Sequence, residues 1–431
     1  MTTSPHDDLG PIDVTDVRDQ APLRPREDPF RDAPAHLADL APGTLIRARQ
    51  VRLGFLGLIG QRARAWQLAY RSSDLHGVAE VAVTTVVVPD GFEAGDPARL
   101  IAYQCAIDAV SDRCFPSYAL RPGARAWGSL PQFELMIIAA LLDRGFVLTL
   151  ADHEGIHGHF GAPREPGHRV LDGVRATLAF DELGLAPDTP TGMFGYSGGG
   201  MATSWAAEMA PTHAPELEIV GAVLGSPVGD PGEAFLKLNR GLNAGLPALV
   251  VSGLRHAYPG LARLIRRHAS LDGQRRLDDL KEQSTVTAVV THAFNDFDDY
   301  LDIPLADMLA KPEVLHVFDD IRLGSRIPTC PLLVVQGVHD QIIDVADVDA
   351  QVAKYVDGGA QVRYLRDQAS EHITLMVLGL PRMIAWLEQR FDGAPASVGT
   401  DTVFSLALDV RALPRFVRLA RAALKVLTGR A

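Results

Sequence analysis

Cysteines are few in this sequence, and their number does not suggest a disulfide framework. The 431 residues include three of them, Cys105, Cys114 and Cys330. An odd number of cysteines without an export signal is typical of free thiols in a reducing compartment. We therefore expect no bridge between Cys105 and Cys114.

Long apolar runs and basic clusters are also missing. The longest apolar stretches, such as Met136 to Leu142, fall far short of the roughly 18 residues that span a bilayer, so no transmembrane helix is expected. The formal charge is −12 and both signs are interspersed, which disfavours nucleic acid as a partner. The first 28 residues lack the pattern of a secretory signal. We predict a cytoplasmic location, with membrane association or secretion by another route as alternatives.

The overall composition is that of a globular protein with a large core. Hydrophobic residues make up 47% and charged residues 22% of the chain. Residues 1–42 are rich in proline and charge, and are expected to form a mobile polar arm without a catalytic role. Strands of a mixed sheet are then predicted at Leu45–Val51, Ala65–Ser72 and Val81–Val88.

Strands and helices alternate in the next part of the chain, which is typical of an α/β fold with parallel strands. Strands are predicted at Phe146–Ala151, Thr191–Phe194, Ile219–Leu224, Leu332–Gln336 and Val362–Leu365, and helices at Val170–Leu183 and Gly198–Met209. The interval between Leu224 and Leu332 is several times longer than one crossover requires. It predicts a helical cap over residues 228–327, inserted between two core segments, 43–227 and 328–395.

The most specific motif is Gly195-Tyr196-Ser197-Gly198-Gly199, which lies between a predicted strand and a predicted helix. A serine nucleophile must be exposed on such a sharp turn and must be deprotonated by a neighbouring base. The N–H of Gly198, at the start of the helix, is placed to stabilise an oxyanion. The motif therefore predicts a nucleophilic Ser197.

An acid and a histidine follow the motif in the chain order that is expected after a serine nucleophile on such a strand-to-helix turn. Asp340 follows the apolar strand that ends near Gln336, and His372 follows the strand that ends near Leu365. We predict that His372 is the general base and that Asp340 orients it. Asp344 is the competing acid, but it lies further from the end of its strand.

The segment after Ala151 allows two interpretations. His153-Glu154-Gly155-Ile156-His157 matches H-E-x-x-H, in which two histidines on one helix face bind zinc. Its glycines are unfavourable in a helix, and a loop is expected after an apolar strand. The alternative is an oxyanion loop in which Asp152 or a neighbour donates a hydrogen bond, which requires a carboxyl to be protonated.

The last segment, 396–431, is predicted to contain a basic amphipathic helix within Val403–Leu427. Its basic residues recur every three or four positions at Arg411, Arg415, Arg418, Arg421 and Lys425. We prefer a helix that docks on the core with a solvated basic face. Attachment to an anionic membrane surface is the alternative.

Several stretches together resemble the secretory lipase family, typified by yeast lipase A and with actinobacterial members. They are Asp28–Phe30, Leu40–Thr44, Pro116–Tyr118, Asp152–Gly155, Gly195–Gly199 and the loops of Asp340 and His372, and they reach to about Asp392. The resemblance implies an α/β-hydrolase fold with a cap before the acid strand. It also implies acyl-ester hydrolysis and an oxyanion hole formed by Asp152 and the Gly198 N–H, and it favours the oxyanion loop over zinc. The C-terminal helix and the missing export signal depart from the family pattern.

These observations predict a lipase-like serine ester hydrolase without cofactor or metal. Its substrate would be triacylglycerol or a related acyl ester, cleaved through an acyl-enzyme. The alternatives are an acyltransferase with the same three residues and a zinc peptidase that uses His153, Glu154 and His157. The sequence does not specify an oligomeric state.

Overall fold

The computed structural model describes residues 12–408 and 413–431 of the chain. Arg411, predicted as part of the basic helix, and residues 1–11 of the predicted arm lie outside the described residues. Within the described ranges, no helix is both long and apolar enough to cross a bilayer.

Eleven strands in the described part of the chain form one sheet, in the order β1-β2-β3-β4-β6-β5-β7-β8-β9-β10-β11. The strands are β1 (Val14–Asp16), β2 (Leu45–Phe55), β3 (Ile59–Ser73), β4 (Ala79–Val88), β5 (Leu100–Gln104), β6 (Val147–Ala151), β7 (Thr191–Tyr196), β8 (Ile219–Gly225), β9 (Leu332–Gly337), β10 (Val362–Asp367) and β11 (Gly399–Val403). From β6 to β11 every neighbouring pair is parallel, whereas β2, β3, β4 and β6 pair antiparallel in turn. The predicted mixed α/β sheet is confirmed.

Helices cover both faces of this sheet. They are α1 (Pro116–Ala119), α2 (Leu130–Leu142), α3 (Glu165–Leu178), α4 (Gly198–His213), α5 (Pro231–Leu238), α6 (Gly245–Ala257), α7 (Pro259–His268), α8 (Leu271–Asp279), α9 (Thr285–Thr291), α10 (Leu305–Leu309), α11 (Pro312–Ile321), α12 (Val345–Asp357), α13 (His372–Phe391) and α14 (Leu413–Leu427). One apolar cluster packs α2, α13 and α14 on the sheet, and a second packs α3, α4 and α12 on the other face. Parallel strands are therefore buried on both sides, as their continuous apolar sequences require.

Strand β5 is absent from the sequence prediction, and it occupies a central position. It pairs with β6 on one side and with β7 on the other. As a result, the segment after β5, and not the segment after β6, lies next to the end of β7. This order decides which loop borders the predicted nucleophile.

The long interval between β8 and β9 contains α5 to α11. Their apolar side chains form a cluster of their own, which includes Leu249, Leu261 and Val317. Core residues such as Phe160 and Trp205 belong to the same cluster. The helices between β8 and β9 therefore pack on the core through apolar contacts.

The N-terminal arm was predicted to be mobile, but its described part, residues 12–42, is anchored. Strand β1 pairs with β2, and Arg24 forms an ion pair of 2.5 Å with the buried Asp112. Arg26 donates to the carbonyl oxygen of Val110 over 3.2 Å. Charged side chains that looked solvated in the sequence therefore hold this segment against the core.

Candidate active site

The predicted nucleophile lies on a sharp turn between β7 and α4. Ser197 has φ 55° and ψ −124°, a backbone conformation that costs on the order of 1–3 kcal/mol for a residue other than glycine. A Cβ atom at Gly195 would lie 2.1 Å from the carbonyl oxygen of Gly199. Only glycine fits at that position of the turn, which exposes the serine hydroxyl beyond the carboxyl end of the sheet.

The structure brings Ser197, His372 and Asp340 together. Ser197 Oγ lies 2.9 Å from His372 Nε2, and His372 Nδ1 lies 2.7 Å from Asp340 Oδ2. The hydroxyl of Tyr196 donates to the carbonyl oxygen of His372 over 2.6 Å. The residue beside the nucleophile thus fixes the backbone of the histidine.

Asp340 is placed to bind the histidine ring in one orientation. Burial acts to raise its pKa, but the bonds from the His372 ring and from the N–H groups of Ile342 and Ile343 hold the pKa below its usual value. Asp344, the competing acid, instead accepts from Ala346 N at the start of α12. Asp340 is therefore the acid that the histidine contacts.

Asp152, predicted as an oxyanion donor, is unable to donate. Its carboxylate accepts from Ser117 N over 3.0 Å and Ser117 Oγ over 2.5 Å, and it forms an ion pair with Arg31. Its backbone N–H donates to Val83 O over 2.9 Å. Both of its carboxyl oxygens are thus already occupied as acceptors, and β5 separates its strand from β7. The assignment of Asp152 is wrong.

Asp108, after β5, occupies the position that was predicted for Asp152. Its Oδ1 is buried and has no hydrogen-bond partner among the described residues, and a Cβ atom at Gly198 would lie 1.8 Å from this oxygen. Burial raises the pKa of Asp108 to about 7, although the charge of His372 opposes the shift. A protonated carboxyl at this place is able to donate a hydrogen bond toward the space above Ser197.

The sequence carried only a weak signal for Asp108. The strand before it is five residues long and has no local turn motif after it, so its pairing with β7 is visible only in three dimensions. An unassigned Asp shortly after the apolar segment Leu100–Gln104 was the one available indication.

The H-E-x-x-H segment is not helical. Gly155 and Gly158 have φ values of 66° and 63°, so His153 and His157 do not share a helix face. His153 is buried, and its pKa is lowered to about 3 by burial and by the charge of Arg169. The zinc peptidase interpretation requires a helix at this place and fails for that reason.

Two neighbouring cavities lie near the nucleophile or among the helices between β8 and β9. The first has a volume of about 520 Å³ and is lined by Asp108, Ser197 and Gly198 together with apolar side chains. The second, of about 1070 Å³, lies among the helices between β8 and β9. Pro231, Phe235 and Val250 line both cavities, so the two cavities are neighbours that share apolar side chains.

A family model described as secretory lipase matches residues 120–399, which is more than half of the chain. The chain belongs to the secretory lipase family. Lipase A of Arthroderma benhamiae is 32% identical over 94% of this chain and 90% of its own length. The crystal structure of Candida antarctica lipase A is similar with a TM-score of 0.83 at 26% identity, covering 93% of this chain and 95% of that one.

These similarities confirm the predicted α/β-hydrolase fold, the family and the class of lipase-like serine ester hydrolase with a lipid ester substrate. A Mycobacterium tuberculosis relative, 50% identical over 99% of this chain and 94% of its own length, is named a probable inactive lipase. The name concerns that relative. In the present chain, Ser197, His372 and Asp340 lie in the hydrogen-bonded arrangement described above.

The predicted cytoplasmic location is wrong. The family is one of secretory lipases, and a Malassezia furfur relative, 30% identical over 86% of this chain and 80% of its own length, is named a secreted triacylglycerol lipase. The prediction rested on the composition of the first 28 residues, which is a weak guide to export.

Replacement of Arg31 by leucine tests the reassignment of Asp152. The Asp152 carboxylate would keep its charge in a buried site without its partner, which costs about 3–5 kcal/mol in free energy of unfolding. Urea denaturation followed by tryptophan fluorescence measures this loss. Arg18→Leu, which breaks the exposed pair with Asp16, is the control and should leave the midpoint near that of the unmodified chain. Equal urea midpoints for the two variants would contradict a buried ion pair between Arg31 and Asp152.

Proposed function

We propose that Ser197, His372 and Asp340 hydrolyse lipid esters through an acyl-enzyme on Ser197. The observation that carries the proposal is the continuous pair of contacts, 2.9 Å and 2.7 Å long, from the serine through the histidine to the aspartate. This geometry activates a hydroxyl that is otherwise a weak nucleophile.

In the first step, Ser197 Oγ attacks the ester carbonyl carbon while His372 Nε2 takes the hydroxyl proton. The bond from carbon to the alcohol oxygen then breaks, and the alcohol leaves with the proton from His372. Water repeats the sequence on the acyl-enzyme, with His372 again as base, and releases the carboxylic acid. Asp340 stabilises the charged imidazole in both halves.

The oxyanion hole is proposed to consist of the Gly198 N–H and the Asp108 carboxyl. Gly198 begins α4, where the first N–H groups have no partner within the helix. Asp108 faces the same cavity as Ser197. One backbone and one side-chain donor would then point to the oxygen on which the negative charge develops.

The helices between β8 and β9 are proposed to act as a cap that holds the acyl chain. The apolar cavity among these helices shares Phe235 and Val250 with the cavity that contains Ser197. Lys237 on α5 donates to the carbonyl oxygen of Asp340 over 3.1 Å, so the cap also contacts the acid loop. An acyl chain would gain the free energy of burying its methylenes in this cavity.

Labelling with a fluorophosphonate tests the proposed nucleophile. We expect a single adduct in the intact-protein mass of the unmodified chain and none in Ser197→Ala, because only an activated serine attacks phosphorus at a useful rate. Addition of a chelator should change neither result. Absence of an adduct on the folded, unmodified chain would contradict the proposal.

Variants of Asp108 test the proposed donor through their pH dependence. The donating form is protonated, so kcat/KM should be highest below the pKa of Asp108, about 7, and should fall as the pH rises through it. His372, Glu134 and Glu154 are the titratable groups that interact with this carboxyl. Asp108→Asn should remove the alkaline fall, and Asp108→Leu should lower kcat about a hundredfold. An unchanged alkaline fall in Asp108→Asn would contradict the assignment.

We further propose that α14 contacts an anionic lipid surface. One side of α14 packs on the core through Ala422 and Val426. Another side exposes an apolar stripe at helical spacing, formed by Leu413, Val417, Leu424 and Leu427. Exposed Arg418 and Arg421 lie beside this stripe, in a chain whose formal net charge is −12. Apolar and basic stripes side by side are typical of helices in the membrane interface.

Co-sedimentation with vesicles tests this contact. The full chain should bind phosphatidylglycerol vesicles better than phosphatidylcholine vesicles. Each basic residue near an anionic surface contributes about 1 kcal/mol, so the double variant Arg418→Glu, Arg421→Glu should bind at least roughly tenfold more weakly. The same charge change at Arg266 and Arg267 on α7, both exposed, is the matched control. Equal binding by both double variants would contradict a role for α14.

A further inference from the structure

The loop that carries Asp108 is strained and has little regular structure of its own. It joins β5 to α1, and Asp108 has a φ of 45°. A residue other than glycine keeps such a conformation only where its surroundings impose it. The side chains that hold this loop therefore determine where the Asp108 carboxyl lies.

Glu134 on α2 holds the loop from the core. Its Oε2 accepts from the backbone N–H of Ala106 over 3.0 Å, and its Oε1 accepts from the Tyr103 hydroxyl over 3.0 Å. Glu134 is buried, and Ala106 is two residues from Asp108. A buried carboxyl with both oxygens occupied in this way fixes the direction in which the chain leaves β5.

Thr285, the first residue of α9, holds the same loop from the side of the cap. Its hydroxyl oxygen lies 3.1 Å from the carbonyl oxygen of Ile107 and 3.1 Å from that of Asp108. A hydroxyl has one proton, so the two carbonyls share it. Thr285 is buried, and its bond joins the helices between β8 and β9 directly to the backbone of Asp108.

We infer that Glu134 and Thr285 are positioning residues which together fix the Asp108 carboxyl in the oxyanion hole. This inference rests on the function proposed above. A donor stabilises the transition state only if it is held close to its productive place. Neither residue touches the ester, and each acts through the backbone on either side of Asp108.

Thr285→Val and Glu134→Met each remove the hydrogen bonds between one of these side chains and the loop, while keeping a side chain of similar size. With a soluble short-chain ester, we expect each to lower kcat about tenfold, because a small misplacement of a catalytic group is costly. KM should stay within about twofold, since the lost interaction forms only in the transition state. Thr285→Ser keeps the hydroxyl donor, and Glu134→Gln keeps a carbonyl acceptor. Both variants should therefore restore most of kcat.

Two buried side chains with the same type of bond are the controls. The Thr189 hydroxyl donates to Ala186 O over 2.7 Å, and Glu208 accepts from the Tyr355 hydroxyl over 2.7 Å. Both lie outside the Asp108 loop. Thr189→Val and Glu208→Met should change thermal stability without the selective loss of kcat.

A double-mutant cycle with Asp108→Ala decides between positioning and a general structural role. If Thr285 and Glu134 act through Asp108, their substitutions should cause no further loss of kcat in Asp108→Ala beyond about twofold. Equal losses with and without Asp108 would overturn the inference, as would failed rescue by serine or glutamine. If Glu134→Met does not fold, Glu134→Asp, which withdraws the carboxyl by one methylene, takes its place. Full activity of Asp108→Ala would instead contradict the proposed oxyanion hole itself.

Discussion

The turn of the nucleophile packs against the end of β5 so closely that no side chain fits between them. A Cβ atom at Gly198 would meet Asp108 Oδ1 at 1.8 Å, and one at Gly199 would meet the carbonyl oxygen of Gln104 at 2.1 Å. The serine turn and the loop after β5 therefore have only one relative position. The order of the strands, with β5 directly beside β7, makes this contact, and the histidine and acid loops complete the site from the other side.

Two aspartates near this site show that the neighbouring groups determine whether a buried carboxyl accepts or donates hydrogen bonds. Asp152 has the permanent cation of Arg31 and two donors from Ser117, so it serves as a structural anion. Asp108 is also buried, but its Oδ1 has no partner in the part of the chain that the structure describes, and burial then favours its neutral form. The same residue type is an acceptor in one loop and a potential donor in the next, and only the neighbours differ.

Sequence reasoning selected three residues that the structure brings together, and in each case the signal was local. Ser197, Asp340 and His372 each follow a strand that the sequence pattern predicts, and parallel strands bring their carboxyl ends to one edge of the sheet. It did not single out Asp108, because the place of β5 between β6 and β7 depends on pairing with distant segments. The neighbouring motif at Asp152 was more conspicuous in the sequence, but one strand separates it from the nucleophile.

The ion pair between Arg31 and Asp152 also concerns the order in which the chain folds. The two residues are 121 positions apart, and Arg24 reaches Asp112 across 88 positions. During synthesis Arg24 emerges before Asp112, and Arg31 emerges before Asp152, which directly follows β6. Contacts of such long range raise the contact order of a domain, which slows its folding. A shortened chain that stops before Asp152 would therefore leave Arg31 without this ion pair, although Arg24 and Asp112 would both still be present.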